Sequence, residues 1–267
     1  MTNYSHDRIV PFKDSELGKK QQVAEMFDKI AFRYDFLNRF LSGGIDMYWR
    51  KRAIRELRRP AANSGTQGGA GTGPTLDGSV LDVATGTGDM AILLSRCLPK
   101  ARVTGVDISA GMLEIGRRKL SRLQLEDRIS LQPGDSEALP FPDDSFDAVT
   151  VAFGVRNFEN LEKGLREMRR VLRPGGRLVV LEFSQPRTPG LCHLYRLYMR
   201  IVAPRIAGIA SSNREAYQYL NDSVRAFPEG TDLVRILETC GFVHTRLRRL
   251  SLGICTLYAG EKVTDRN

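Results

Sequence analysis

The segment that most constrains the fold is a buried strand, a glycine-rich loop and a helix in immediate succession. The strand SVLDVAT spans residues 79–85, and the helix MAILLSRCL begins just past Gly88. A second strand, ARVTGVDI at residues 101–108, leads into a second helix, GMLEIGRRKLSRL. Strands and helices in this order predict parallel strands joined by right-handed crossovers.

The alternation continues and then changes near the carboxyl terminus. Further strands are predicted at residues 128–133, 146–153 and 175–183, with the helix NLEKGLREMRRVL before the last of them. Two final strands within residues 242–261 are separated only by the tripeptide SLG, which predicts an antiparallel hairpin. The sequence thus predicts a doubly wound α/β fold with a mostly parallel seven-stranded sheet that ends in this hairpin.

Three segments stand apart from the alternation. Residues 1–60 contain a helical stretch at 20–58 and are predicted to form an N-terminal helical flap. Residues 61–78 are rich in Gly, Ser and Thr, which predicts a flexible linker to the α/β domain at 79–261. Within that domain, the apolar and aromatic-rich residues 187–226 are predicted to form a helical lid insertion.

Composition limits the functions that need to be considered. No apolar run approaches the ~20 residues that span a bilayer, and the amino terminus lacks the features of a secretory signal, so we expect a cytoplasmic protein. The four cysteines and three histidines are scattered without the spacing of metal ligands, so we expect no metal site.

The net charge of +9 is compatible with a nucleic-acid partner, an anionic membrane surface or solubility alone. The arginines occur in short groups such as Arg50-Lys51-Arg52, and we interpret these groups as solvated faces. No RNA-binding signature with interleaved aromatic residues is present, so we expect no nucleic-acid partner.

The loop after the first strand has the residues of a cofactor site. Gly86 and Gly88 allow a sharp turn and a close approach of a ligand to the backbone. The same loop satisfies the dinucleotide fingerprint G-x-G-x-x-G/A, and Asp107, at the end of the next strand, suits a ribose in either case. The pattern alone therefore leaves a nicotinamide dinucleotide and S-adenosylmethionine as alternatives.

Charge separates these two cofactors. A dinucleotide places its pyrophosphate at the helix amino terminus, and Asp82 and Asp89 flank that position. A buried carboxylate beside a phosphate is strongly unfavourable. S-adenosylmethionine has no phosphate and carries a sulfonium and an ammonium, which nearby acids stabilise. The sequence therefore predicts S-adenosylmethionine as methyl donor.

A second contact with the cofactor is predicted after the third strand. Asp135 and Ser136 follow that strand at the carboxyl edge of the sheet, where folds of this kind bind ligands. A side-chain acceptor there can take a proton of the adenine amino group. The alternative is an Asx-type turn that leads to Pro140.

Three further stretches resemble a known family. They are YDFLNRFLSGGIDMYWR at residues 34–50, AFGVRNF at 152–158 and RVLRPGGRLVVLEFS at 170–184. The chain resembles the quinone C-methyltransferases that methylate demethylmenaquinol and, in some bacteria, a ubiquinone precursor. The resemblance covers nearly the whole chain from about residue 23 to residue 260; its first stretch is specific, whereas the third is widespread among methyltransferases.

The resemblance implies a class I S-adenosylmethionine methyltransferase that converts 2-demethylmenaquinol into menaquinol, the last step of menaquinone biosynthesis. A benzoquinol precursor of ubiquinone and another lipophilic small molecule are the alternative acceptors. Carried over by position, the cofactor contacts fall on Thr87, Asp107, Asp135 and Ser136. Some relatives have a further serine contact in the fourth strand, where this chain has Ala152.

Methyl transfer to a ring carbon requires an electron-rich carbon, so the expected acceptor is the reduced quinol. Arg156 and Asn157 follow the fourth strand, and we predict that they are catalytic. Arg156 would stabilise the developing phenolate and act through a bound water, since arginine stays protonated, while Asn157 orients the same hydroxyl. The alternative for Arg156 is a surface ion pair. His193 and His244 belong to no motif and are interpreted as bystanders.

The remaining predictions concern the flap and the lipid tail of the acceptor. Tyr34, Asp35 and Asn38 are assigned to the flap over the site. The isoprenoid tail resides in the bilayer, so residues 191–210 are predicted either to contact the inner face of the membrane or to form a packed lid. A homodimer is compatible with the sequence. Four aromatic residues are assigned to the core or the quinone pocket: Phe27, Phe36, Phe40 and Trp49.

Overall fold

The computed structural model describes residues 4–59, 77–186 and 214–263. The predicted linker at 61–78, except its last two residues, and the predicted lid as far as residue 213 lie outside the described residues. The described strands are β1 Ser79–Val83, β2 Arg102–Asp107, β3 Ile129–Pro133, β4 Phe146–Ala152, β5 Leu172–Phe183, β6 Phe242–Leu250 and β7 Cys255–Lys262.

These strands form one seven-stranded sheet in the order β3-β2-β1-β4-β5-β7-β6. Strands β1 to β5 are parallel, whereas β7 runs antiparallel to both β5 and β6. The predicted doubly wound sheet with a terminal antiparallel hairpin is confirmed. The chief difference is that β5 begins at Leu172, three residues before the predicted start at residue 175, since it pairs with Phe146 across a register shift.

Helices cover both faces of the sheet. The described helices are α1 Lys19–Leu41, α2 Asp46–Leu57, α3 Asp89–Cys97, α4 Ala110–Leu123, α5 Leu161–Val171, α6 Arg214–Ala226 and α7 Thr231–Thr239. The single helical stretch predicted at 20–58 is two helices, because the chain turns at Gly43 and Gly44, whose φ angles of 59° and 78° favour glycine.

Trp49 anchors α2 to the sheet. Its indole is 2% exposed, contacts the rings of Phe153 and Phe183, and donates a hydrogen bond from Nε1 to Ser251 Oγ at 2.8 Å. Of the two interpretations of Trp49, core residue or quinone-pocket residue, the structure supports the core. Phe27, by contrast, lies partly buried on α1 above the sheet edge.

Helix α1 crosses the carboxyl edge of the sheet. Asp28 Oδ1 accepts hydrogen bonds from Ser109 Oγ at 2.5 Å and from the Gly111 amide at 2.9 Å, which fastens α1 to the start of α4. The order of the strands reverses between β1 and β4 beneath this helix, and such a reversal opens a crevice for ligands. In the described part of the chain, none of the helices has the length and apolar character required to cross a membrane.

Candidate active site

A large cavity of about 640 Å³ lies at the carboxyl ends of β1, β2 and β4, under α1. The loops of the sheet edge bring Gly86, Asp107, Asp135 and Ser136 to its wall, so the structure places four of the six predicted cofactor residues together. Asn157 of the predicted catalytic pair also lines it. The larger apolar side chains of the wall are those of Val23, Phe27, Ile108, Met112, Phe153 and Phe158.

Asp107 is the buried acceptor of this cavity. Its Oδ2 accepts a hydrogen bond from the Gly86 amide at 2.7 Å, and its Oδ1 accepts one from the Ser109 amide at 2.9 Å. Burial raises the pKa of Asp107 above its ordinary value, and the nearby charge of Asp28 adds to that rise, while the backbone donors oppose it. A carboxylate has further lone pairs, which are free to accept ribose hydroxyls.

The side chain of Asp135 accepts two hydrogen bonds at the other end of the cavity. Its Oδ1 accepts from the Glu137 amide at 2.9 Å, and a backbone bond joins Ala138 N to Asp135 O at 3.0 Å, so the Asx-type turn is present. Its Oδ2 accepts from Lys20 Nζ at 2.7 Å. Asp135 therefore forms the Asx-type turn and also lies in the wall of the cavity. Sequence reasoning missed Lys20, which precedes all of the motifs.

The backbone is strained where β1 and β4 end at the cavity. Ala84 and Phe153 have φ angles of 52° and 62°, in the left-handed region that costs a residue with a side chain about 1–3 kcal/mol. Gly154 allows these two segments to meet, since a Cβ at this position would lie 2.5 Å from Ala84 Cβ. The sheet edge is thus shaped for the cavity at some cost in stability.

A small cavity of about 340 Å³ adjoins the large one and shares Ala84, Gly86 and Ala152 with it. Its wall is charged. Four ionisable side chains line it, from α1, α2, β1 and α3: Asp35, Arg50, Asp82 and Asp89.

Thr87, a predicted cofactor contact, lies in the small cavity and not in the large one. Its Oγ1 is 2.5 Å from Asp35 Oδ1 and accepts from Lys119 Nζ at 2.9 Å. Lys119 also pairs with Asp35 and binds Asp89 Oδ1 at 2.8 Å. Asp35 of the predicted flap therefore touches the glycine-rich loop after β1, whereas the side chains of Tyr34, Phe36, Asn38 and Phe40 lie outside the described residues.

Asp82 forms the floor of the small cavity. It is 1% exposed and accepts hydrogen bonds from Thr85 Oγ1 at 2.7 Å and Thr150 Oγ1 at 2.8 Å. Burial raises the pKa of Asp82 to about 6, even though both hydroxyl donors and the charge of Arg50 act in the opposite direction. Gly88, with a φ of 81°, is the last residue before α3 and turns the chain from the loop into that helix.

Arg156 does not line either cavity. Its guanidinium Nη1 donates to Glu182 Oε1 at 2.7 Å and to the Phe153 carbonyl at 2.5 Å, and the residue is 4% exposed. The predicted alternative, a surface ion pair, is wrong, because this ion pair is buried. Asn157 Oδ1 accepts from the Tyr219 hydroxyl of α6 at 3.1 Å. Glu182 belongs to the LEFS stretch of the sequence, but no sequence pattern indicated that it pairs with Arg156.

The remaining predictions concern Arg50 and the two histidines, His193 and His244. Arg50 was interpreted as part of a solvated face, yet it is 7% exposed, so that interpretation is wrong for this residue. His244 is exposed on β6 and lines neither cavity, while His193 lies outside the described residues.

The family model and the relatives that match this chain are all methyltransferases. The profile of the ubiE/COQ5 methyltransferase family matches residues 15–262. A demethylmenaquinone methyltransferase of Bacteroides fragilis is 42% identical over 97% of this chain and 100% of its own length. A ubiquinone/menaquinone biosynthesis C-methyltransferase of Syntrophotalea carbinolica is 47% identical over 90% of this chain and 94% of its own.

Solved structures show the same fold at low sequence identity. A phosphoethanolamine N-methyltransferase 2 of Haemonchus contortus, in complex with S-adenosyl-L-methionine, matches with a TM-score of 0.63 and 14% identity, covering 95% of this chain and 62% of that one. A methyltransferase of Thermotoga maritima, described as a possible histamine N-methyltransferase, matches with a TM-score of 0.55 and 18% identity, covering 90% and 99%.

Proposed function

Because the chain belongs to the ubiE/COQ5 methyltransferase family, we propose that it methylates the ring carbon of 2-demethylmenaquinol and thereby forms menaquinol. Its methyl donor is S-adenosylmethionine. The observation that carries the choice of acceptor is the 42% identity to a demethylmenaquinone methyltransferase over the full length of that relative. A benzoquinol precursor of ubiquinone is the second candidate, favoured by the names of relatives such as the 47% identical one.

The residues present fit S-adenosylmethionine. In the large cavity, Asp107 offers buried acceptor oxygens for a ribose, and Ile108 and Met112 offer apolar surface for a purine. In the small cavity, the three carboxylates of Asp35, Asp82 and Asp89 suit a cationic ligand and would repel a pyrophosphate. Asp135 and Ser136 stand at the far end of the large cavity, where they can accept the adenine amino proton.

The acceptor would lie at the Asn157 end of the large cavity. When bound, the donor supplies an electrophilic methyl group on its sulfonium. Asn157 can orient the quinol hydroxyl there, and Phe158 beside it excludes water from the ring. Arg156 Nε has no hydrogen-bond partner in the described part of the chain, so it can hold a water that relays the hydroxyl proton to bulk solvent.

Glu182 has a positioning role in this scheme. It accepts from Nη1 of Arg156, which fixes the plane of the guanidinium while Nε stays available. The Arg156 Cζ atom also lies 5.6 Å from the centre of the Phe183 ring. Since Arg156 is behind the cavity wall, its action on the acceptor must pass through water and not through direct contact.

The test is methyl transfer from labelled S-adenosylmethionine to reduced demethylmenaquinone, with the oxidised quinone and a reduced ubiquinone precursor assayed in parallel. We expect incorporation into the naphthoquinol and none into the oxidised quinone. Arg156→Ala should abolish transfer while S-adenosylhomocysteine still binds, and Arg166→Ala, an exposed arginine on α5, is the matched control. Labelling of the benzoquinol alone would replace the proposed acceptor with the second candidate.

We also propose a peripheral membrane contact, at the inner face, for delivery of the isoprenoid tail. Phe32 is 92% exposed on α1, Tyr48 is 51% exposed on α2, and Ile45 between them is 45% exposed. With the net charge of +9, these side chains would favour an anionic lipid surface. Sedimentation with anionic vesicles should carry the protein down, and a Phe32→Ser variant should bind less; equal binding by both would contradict this contact.

A further inference from the structure

The guanidinium of Arg50 lies in the wall of the small cavity with one donor unsatisfied. Arg50 projects from α2, and its side chain is 8% exposed. Its Nε has no hydrogen-bond partner in the described part of the chain. The nearest carboxylate oxygen, Oδ2 of Asp46, is 3.7 Å from Nε, beyond the range of a hydrogen bond. A buried guanidinium with an unused donor is costly, and such groups normally have a partner.

Of the three carboxylates in the small cavity, Asp35 and Asp89 have ionic partners and Asp82 has none among the described residues. Asp35 and Asp89 are both bound by Lys119, and Asp89 also pairs with Arg39 at 3.2 Å. Asp82 accepts from two hydroxyls only, and no ion pair joins it to Arg50 among the described residues. The cavity therefore presents an anion without an ionic partner, Asp82, and a cation, Arg50, whose ion pair with Asp46 at 3.7 Å is too long for a hydrogen bond. This arrangement is complementary to a zwitterion.

An amino acid is the zwitterion that this site would receive. The small cavity continues from the large one through Ala84, Gly86 and Ala152. A ligand whose adenosine lies beside Asp107 and Asp135 has its amino-acid end directed away from the adenine. The charged cavity is the adjoining space for that end, and its carboxylate needs a cation that the acids there do not supply.

We propose that Arg50 binds the carboxylate of the amino-acid end of S-adenosylmethionine, with Asp82 on the side of the ammonium. The guanidinium fork suits a carboxylate because it can donate two parallel hydrogen bonds. The Phe153 ring, whose centre lies 5.3 Å from Arg50 Cζ, holds the guanidinium against the wall. This inference rests on the methyl donor alone and is independent of which quinol is methylated.

The test compares two donors that differ only in this carboxylate, S-adenosylmethionine and decarboxylated S-adenosylmethionine, by calorimetric binding to the full chain without acceptor. The native protein should prefer the carboxylated donor by about 10- to 100-fold in Kd. In Arg50→Gln the two donors should bind with nearly equal Kd, because the variant loses affinity only for the carboxylated one. Arg55→Gln, an exposed arginine on the same helix, should keep the native preference.

The ratio of the two dissociation constants keeps the test decisive even where a variant is less stable. Arg50→Lys, which retains the charge but not the fork, should lie between the native protein and Arg50→Gln in this ratio. An Arg50→Gln variant that retains the native ratio would overturn the proposal. If Arg50→Gln does not fold, the same ratio in Arg50→Lys decides: a native value overturns the proposal and a reduced value supports it.

Discussion

The large and the small cavity share a wall but are built in different ways. The large cavity combines apolar side chains with polar groups, most of which lie at the end of β2 or in the segments that follow β3 and β4, while Lys20 comes from α1. The small cavity is lined by charged groups that come from α1, α2, β1 and α3. The large cavity results mainly from the order of the strands, whereas the small cavity depends on how the N-terminal helices pack onto the sheet.

This difference implies two kinds of ligand recognition. Shape and a few buried acceptors suffice for an adenosine, since it carries no charge. A zwitterionic amino-acid end must instead be matched charge by charge in a space with little water. The same donor would thus be held by two regions whose contributions can be separated by mutation.

The largest expected effect is in the large cavity. Asp107→Ala removes the buried acceptor and should weaken binding of S-adenosylhomocysteine by about 100-fold or more, since hydrogen bonds to a charged group contribute about 1.5–3 kcal/mol each. The adenosine fragment 5′-deoxy-5′-methylthioadenosine should lose affinity by a similar factor, unlike its response to Arg50→Gln. Calorimetry measures both, with the exposed Asp127→Ala as control. A loss confined to the full ligand would contradict the division into two regions.

The next effect concerns the floor of the small cavity. Because the pKa of folded Asp82 is about 6 against an ordinary 3.8, the folded chain retains this proton in a range where the unfolded chain has released it. Its contribution to the free energy of unfolding should therefore fall by about 2–3 kcal/mol as pH rises from 4 to 6, and then stay level.

Asp82→Asn lacks this titration, so the difference in unfolding free energy between native protein and variant should decrease over the same pH range. Denaturant unfolding at several pH values measures this difference. Buried His6, whose pKa burial lowers to about 3, has the opposite effect on pH dependence but cancels from the comparison. A difference that does not change with pH would show that the pKa of Asp82 is the same in the folded and the unfolded chain.

A smaller effect is expected at the wall that the cavities share. Gly154→Ala would place a Cβ 2.5 Å from Ala84 Cβ and push the ends of β1 and β4 apart. We expect a loss of about 1–3 kcal/mol in the free energy of unfolding and weaker binding of both donor fragments. Gly18→Ala is the control, since its Cβ would meet only Glu159 Oε1 at 3.5 Å. Thermal unfolding that is identical for both variants would be inconsistent with this close packing.

The smallest expected effect is at the contact between α1 and α4. Ser109 Oγ accepts from the Met112 amide at 3.1 Å and bonds Asp28 at 2.5 Å, so it both caps α4 and fastens α1 over the large cavity. Ser109→Ala should lower the free energy of unfolding by about 1 kcal/mol. Ser121→Ala, exposed in the same helix, should leave it unchanged. Both are measured by denaturant unfolding, and equal stability of the two variants would refute the capping role.

The sequence predicted the large cavity well because its residues lie beside strand ends. Asp107 is the last residue of β2 and Asp135 follows β3, and parallel strands bring their carboxyl ends to one edge regardless of side-chain detail. Gly86 and Gly88 likewise have the positive φ angles that the loop required. Their roles in binding remain predictions, but their positions followed from the order of strands and helices.

The small cavity and the Arg156 site could not be predicted in the same way. Arg50 is one of many arginines in a basic chain, and only the packing of Trp49 against Phe153 and Phe183 turns that part of α2 inward. The partner of Arg156 lies on β5, and Lys20 reaches Asp135 from the start of α1. Each contact joins residues distant in sequence, and the local pattern around either partner does not identify the other.

By itself, the sequence determined the sheet, its terminal hairpin, the glycine-rich loop and the family, because apolar periodicity and short motifs act locally along the chain. Only the tertiary structure decided which charges are buried and which meet. Burial of a charge depends on the sum of all neighbours that exclude water and on the partners that remain within reach. For Arg50, Asp82 and Arg156, those neighbours are assembled only when the helices pack on the sheet.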